Sequence, residues 1–241
     1  LDVKCGSGAF MKTEADAYDL ATNLVRISEA MGKPTSALIT RMEEPLGRAV
    51  GNSLEVVESI ACLQGNGPED LMEVTRLLCA EMMRLGGLVQ TKEEALPIIE
   101  NAILSGEAFA AFRQLVIAQE GDISTVDQQD RLPRANICHP FHYEGEKRAY
   151  VSSINALDVG QLVARIGAGR ARADALIDPS VGLYFHKKVG DPVVPGDLVC
   201  ELHLNDVKFL EVSLQLLRSA IVYAESKPDK PDIVIDMLSG N

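Results

Sequence analysis

The sequence predicts an α/β protein: a mixed-sheet α/β domain followed by a smaller α+β domain with a barrel-sandwich-like hairpin. Three observations carry this. The first 42 residues run apolar segment, glycine turn, amphipathic helix, apolar segment, the pattern of a βαβ unit. Residues 122–134, "DISTVDQQDRLPR", are polar and aperiodic and read as a linker. Beyond them, short β-branched and aromatic runs dominate, with one helical stretch among them and another at the end. The division is therefore 1–121, a linker at 122–134, and 135–241.

"LDVKC" is short and alternating, and "GSG" ends it, so it is expected to be a buried strand entering a turn. Thr13 and Asp16 have capping-box spacing. Leu20, Leu24, Ile27 and Met31 follow at helical intervals until Gly32 and Pro34 stop the run. "SALIT" is the second strand, parallel to the first. "EEPLGRAVGNSLEVVESIACL" is a Pro/Gly loop feeding a helix with Leu54, Val57 and Ile60 on one face. The next helix opens after Pro68 with Glu69 and Asp70 in its first turn, and its stripe of Leu71, Val74, Leu78, Met82 and Leu85 predicts a core face. Thr91 and Glu94 signal another helix, which Pro97 is expected to delay or kink, and "EAFAAFRQLVIAQ" a further one ending at Gly121. In the second region the strands are "ANICHPF", "KRAYVSSI" and "VGLYFHKKVGDPVVPGDLVCELHL", with a helix over "ALDVGQLVARIGAG" and a closing helix over "FLEVSLQLLRSAIVYAES".

Composition narrows the function. With 46% hydrophobic residues in 241, the chain can bury a full core. Its net charge of −12 argues against a nucleic-acid polymer as partner, which needs clustered Lys and Arg. No apolar run reaches the roughly 18 residues of a membrane span, and a cytoplasmic protein is expected. Cys5, Cys62, Cys79, Cys138 and Cys200 lie far apart with no paired spacing, so neither a disulfide framework nor a structural metal site is expected.

Several stretches carry candidate chemistry. "KCGSGAF" lacks the Lys-Ser/Thr ending of a phosphate loop; it reads as a turn or a pocket wall, with Phe10 the natural wall residue. "PLGRAVGNSLEVVE" reads either as a helix first turn complemented by Glu55 and Glu58 or as a site for a hard cation made of loop carbonyls and a carboxylate. Arg170 and Arg172 among glycines read as an anion site or a solvated turn. "KKVGDPVVPGDLVCEL" has the rhythm of a carrier-domain hairpin without the modified lysine tip, hence a structural role. His139 and His142 fall on opposite faces of a strand, which is poor for a shared metal, and read as ordinary strand residues in the region that also holds His186 and His203; no Cys-His or Ser-His-Asp arrangement emerges from spacing.

Taken in order, "LDVKCGSGAFM", "ALITRMEEPLGRAVGNSLEVVES", "GNGPEDLMEV", "IGAGRARADALIDPSVGL" and "VGDPVVPGDLVCELH" resemble segments of the thymidine phosphorylase and pyrimidine-nucleoside phosphorylase family, from residue 1 to about residue 225. The resemblance implies the C-terminal part of the family's α/β domain followed by its α+β domain, a homodimer, and phosphorolysis of a pyrimidine (deoxy)nucleoside by phosphate to free base and (deoxy)ribose 1-phosphate. It implies that the phosphate loop and the Arg/Ser/Lys base clamp precede Leu1, so no catalytic residue is expected in this chain and the chain alone is expected to be inactive. It assigns Phe10 to the pyrimidine pocket. It gives the carbonyls of Leu46 and Ala49 and the carboxylate of Glu58 to a K+ site, with no organic cofactor; Arg41 stands where many relatives have Asp. The alternative is a non-catalytic binding or assembly module that keeps the fold.

Overall fold

The computed structural model describes residues 1–170 and 176–240. β1 (Asp2–Cys5), α1 (Glu14–Ala30) and β2 (Ser36–Arg41) form the expected βαβ unit, with β1 and β2 parallel and Val3 opposite Ile39. Thr13 caps α1 as its spacing predicts: its hydroxyl oxygen accepts the Asp16 N–H at 3.2 Å. The buried face of α1 differs from the expected one. Ala17, Ala21 and Val25 pack on Val3, Cys5, Ala37 and Ile39, whereas Ile27 and Met31 are exposed. Small side chains let the helix lie close on the sheet, and a periodic stripe of large residues does not by itself say which face is covered.

A two-residue strand, β3 (Ala49–Val50), leads into α2 (Asn52–Leu63), α3 (Glu69–Leu85), α4 (Lys92–Leu104) and α5 (Glu107–Ala118). In α3 the core face is carried by Met72, Val74 and Ala80; Met82, expected inside, is 64% exposed. Glu81 is buried on the same helix. Burial pushes its carboxyl up, but hydrogen bonds with Arg84 and Ser36 outweigh that and hold it below the usual range, tying α3 to the start of β2. α4 begins at Lys92 rather than beyond Pro97, because Thr91 accepts the Glu94 N–H and fixes the start. The expected linker contains α6 (Ser124–Asp127) and a 3-10 turn, Gln129–Arg131.

The second region holds β4 (Ile137–His142), β5 (Ala149–Ile154), α7 (Ala156–Ile166), β6 (Gly182–Phe185), β7 (Pro192–Val193), β8 (Leu198–Leu204), α8 (Leu210–Ala220) and β9 (Ile221–Ala224). The closing helix is shorter than expected, because "IVYA" is β-branched and aromatic and pairs with β5 as β9. A last strand, β10 (Val234–Ser239), was not expected; although the sequence reading gave residues 135–241 to one unit, β10 pairs antiparallel with β2.

Among the described residues three sheets result, ordered β1-β2-β10, β3-β6-β8-β4 and β7-β5-β9. The main core lies between the latter two and helices α7 and α8, where Val151, Val159, Leu162, Leu183, Phe185, Leu202 and Leu217 are fully buried. β3 is the piece of the first region that joins this sheet, with Ala49 opposite Tyr184. Ala21→Leu should overpack the α1–sheet contact and cost about 1–3 kcal/mol, read as a lower denaturant midpoint, whereas Ile27→Ala should leave the midpoint nearly unchanged. The reverse order would place the other face of α1 inside.

Candidate functional site

A cleft of about 400 Å³ opens at the C-terminal ends of β1 and β2, where open α/β sheets bind ligands. Its walls come from distant parts of the chain: Ser7, the loop Glu43–Leu46, Ser152–Asn155 at the end of β5, and Asp229, Lys230, Pro231 and Ile233 before β10.

The turn after β1 is committed to protein contacts. The Gly8 N–H donates to Met42 O at 2.9 Å and the Ser7 N–H to Glu43 Oε2 at 3.1 Å, while the Ser7 hydroxyl donates to Glu43 O at 3.2 Å. A Cβ on Gly8 would stand 2.7 Å from the Ala156 methyl, so glycine is needed for the turn to meet the start of α7. These N–H groups therefore do not form a phosphate cradle, and Ser7, not Phe10, lines the cleft. Phe10 is 98% exposed and lies outside the lining.

The loop between β2 and β3 holds the densest charge. Lys188, 8% exposed, reaches from the segment between β6 and β7 to donate to the carbonyls of Pro45 and Gly47, the latter at 2.7 Å. Its ammonium also lies 3.2 Å from Asp70 and 3.5 Å from Glu44. Glu44 in turn pairs with Lys230 at 2.8 Å and accepts the Val189 N–H at 3.2 Å. Arg48 completes the tie, donating to the carbonyls of Phe185 and His186 at 3.1 and 2.8 Å.

Glu58 is buried on α2, and its Oε1 accepts the N–H groups of Arg48 and Ala49 at 2.8 and 3.2 Å. Burial raises its pKa above the usual carboxylate range, outweighing those two hydrogen bonds. Gly47 has φ +70, and a Cβ there would meet Glu58 Oε2 at 2.3 Å, so both conformation and space demand glycine. Of the three residues expected at a cation site, Leu46 lines the cleft, Ala49 begins β3, and Glu58 reaches the Ala49 N–H from the second turn of α2, past the first turn where sequence placed it.

Lys188, Glu44, Asp70 and Lys230 were not singled out from sequence. The "KK" of the hairpin segment gave no local sign that one of its lysines is buried against a loop more than 140 positions earlier. Arg170 is exposed, and Arg172 lies outside the described residues. His139 and His142 stay apart, His142 exposed with Nδ1 2.9 Å from Gly196 O. Spacing along the chain offered no Cys-His arrangement; sheet register supplies one, setting Cys138 directly opposite His203 across β4 and β8.

Comparison with known proteins adds two findings. Residues 1–109 match the family model described as "Glycosyl transferase family, a/b domain", and residues 150–224 the one described as "Pyrimidine nucleoside phosphorylase C-terminal domain". Over 205 residues the chain is 42% identical to the pyrimidine-nucleoside phosphorylase of Staphylococcus aureus strain USA300, covering 85% of this chain and 47% of that protein. The same figures hold for the proteins of that name from strains NCTC 8325 / PS 47 and COL. The chain thus spans about half the length of the curated relatives it matches.

Two outcomes test the site. Lys188→Ala leaves Glu44 and Asp70 without their buried partner and should cost about 3–5 kcal/mol, read by chemical denaturation; a loss under about 1 kcal/mol would mean the cluster is effectively solvated. Because the folded-state pKa of Glu58 is raised, its contribution to stability is fully present below the unfolded value and is lost as pH rises through the folded one. Glu58→Gln should therefore remove a fall in stability that begins near the normal carboxylate pKa, and a wild-type stability curve parallel to the variant's across that window would contradict the assignment.

Proposed function

The chain belongs to the pyrimidine nucleoside phosphorylase family, and from that premise we propose that it serves, as part of a longer chain, in phosphorolysis of thymidine or of uridine and deoxyuridine to free base and (deoxy)ribose 1-phosphate. The observation that carries this reading is the identity over 205 residues running through both family regions. In that reaction phosphate attacks the anomeric carbon as the base departs, so catalysis rests on holding two anionic groups on either side of an electron-poor sugar.

The share of this chain is positioning. Lys188, Lys230 and Arg41 are paired with carboxylates, Arg41 to Glu14 at 2.9 Å, so these cations organise the cleft and do not stand ready for phosphate. The phosphate loop and base clamp belong to the half of the family's length that the chain does not span. Phe10, exposed on the turn beside the cleft, is the residue we assign to the pyrimidine wall, completed by that other half. A homodimer and a cytoplasmic location follow from the same family reading.

The K+ assignment fits the donors present. Among the described residues, neither the Leu46 carbonyl nor Glu58 Oε2 accepts a hydrogen bond, and carbonyl and carboxylate oxygens suit a hard cation. Leu46, Ala49 and Glu58 would hold the ion, which supplies fixed positive charge beside the cleft. Glu58 meanwhile keeps the Arg48–Ala49 backbone in place through Oε1.

The alternative, a non-catalytic binding or assembly module, is favoured by the same pairing of cations in the cleft. Release of thymine or uracil from nucleoside and phosphate distinguishes the readings. The longer protein that carries this chain should turn over, and the 241 residues alone should not. Absence of base release by the longer protein would overturn the catalytic reading, and turnover by the 241 residues would overturn the assignment of catalysis to the other half. Glu58→Gln should raise the K+ concentration needed for half-maximal activity about tenfold; an unchanged K+ dependence would remove Glu58 from the site.

A further inference from the structure

The outer face of the sheet β3-β6-β8-β4 carries a group of side chains that the cleft does not use. Alternation along β8 sends Cys200, Leu202 and Leu204 into the core and leaves Glu201 and His203 on the other face. β4 sets Cys138 directly opposite His203, with Sγ 3.8 Å from Nε2. Ligand atoms of Cys138, Glu201 and His203 all lie within 4.8 Å of one another. From the end of β6, His186 places Nε2 3.2 Å from Glu201 Oε2.

We propose that Cys138, Glu201 and His203 form a binding site for a divalent transition ion of the zinc class. A thiolate, an imidazole and a carboxylate are a borderline donor set of the kind that zinc takes, and hard ions such as Mg2+ disfavour sulfur. Donor atoms around a tetrahedral zinc stand about 3.3–3.6 Å apart, so the 3.8 Å between Cys138 and His203 needs almost no adjustment. The three donors sit on adjacent paired strands, which fixes their spacing before any ion arrives. His186, bonded to one carboxylate oxygen of Glu201, holds that side chain in place. The fourth position is open to water on the exposed side of Cys138.

The Cys138 thiol proton leaves to solvent as the S–metal bond forms, so affinity should rise with pH. Cys200, one residue from Glu201 but facing the core, is fully buried with its thiol pushed up to about 12 by burial, and takes no part. None of the site residues lines the cleft, so the site is independent of the proposed phosphorolysis.

Titration of the purified 241-residue chain with Co2+ tests this. One equivalent should produce a near-ultraviolet thiolate-to-cobalt charge-transfer band that Zn2+ displaces. Cys138→Ser should abolish the band, His203→Ala and His186→Ala should weaken binding about tenfold or more, and Cys79→Ser should leave it intact. In the unmutated chain, saturating Zn2+ should protect Cys138 from alkylation, a readout that needs no variant to fold. The absence of a band, a band that survives Cys138→Ser, or an alkylation rate at Cys138 unaffected by Zn2+ would each overturn the proposal.

Discussion

The interaction on which most of the architecture depends is the capture of Lys188 by the loop between β2 and β3. An ammonium has three N–H donors and no acceptor. Here it meets the carbonyls of Pro45 and Gly47 and the carboxylates of Glu44 and Asp70, all nearly removed from water. Burying an unpaired lysine would be strongly unfavourable, so the segment between β6 and β7 is held where those oxygens are. The loop gains in return. Its carbonyls, which lie outside any ladder, find a donor, and the turn at Gly47 can bend tightly around Glu58.

From that contact the rest of the site follows in order. Lys188 fixes the loop, and the loop presents the Arg48 and Ala49 N–H groups to Glu58 and the Arg48 guanidinium to the end of β6. β3 then pairs with β6, welding the first region to the second through a two-residue strand that would be too short to hold by itself. Glu44, shared between Lys188 and Lys230, draws the segment before β10 toward the same point. The cleft is the space these ties enclose, walled also by Leu46, Ile154, Val189 and Ile233.

What could be read from the sequence was local. The Thr13 and Thr91 caps, the parallel βαβ unit and the strand runs near 137, 149 and 198 rest on spacing within a few residues, and the structure has them. Failures began where two distant segments had to be matched. The large residues of α1 gave a periodic stripe, but the sheet took the alanine face, because closeness of approach decided the packing and periodicity cannot report it. β10 carries no mark of its partner β2, which lies about 200 positions earlier. Lys188 reads as a solvated hairpin lysine until the oxygens of Pro45 and Gly47 are placed beside it. Cys138 and His203 likewise show no motif spacing, since a cross-strand pair is set by register and not by distance along the chain.

Register also explains why one sheet can serve two unrelated purposes. On β8 the odd and even positions face different surroundings: Leu202 and Leu204 seal the core, while Glu201 and His203 stand among side chains from β4 and β6. A one-residue slip would bury Glu201 without a partner and expose two leucines, so the hydrophobic face enforces the register and the register in turn enforces the polar group. The thiol, imidazole and carboxylate therefore need no stabilising energy of their own to stay together. Their arrangement is imposed by the core behind them, much as the cleft is imposed by Lys188, and both polar assemblies are as rigid as the packing that positions them.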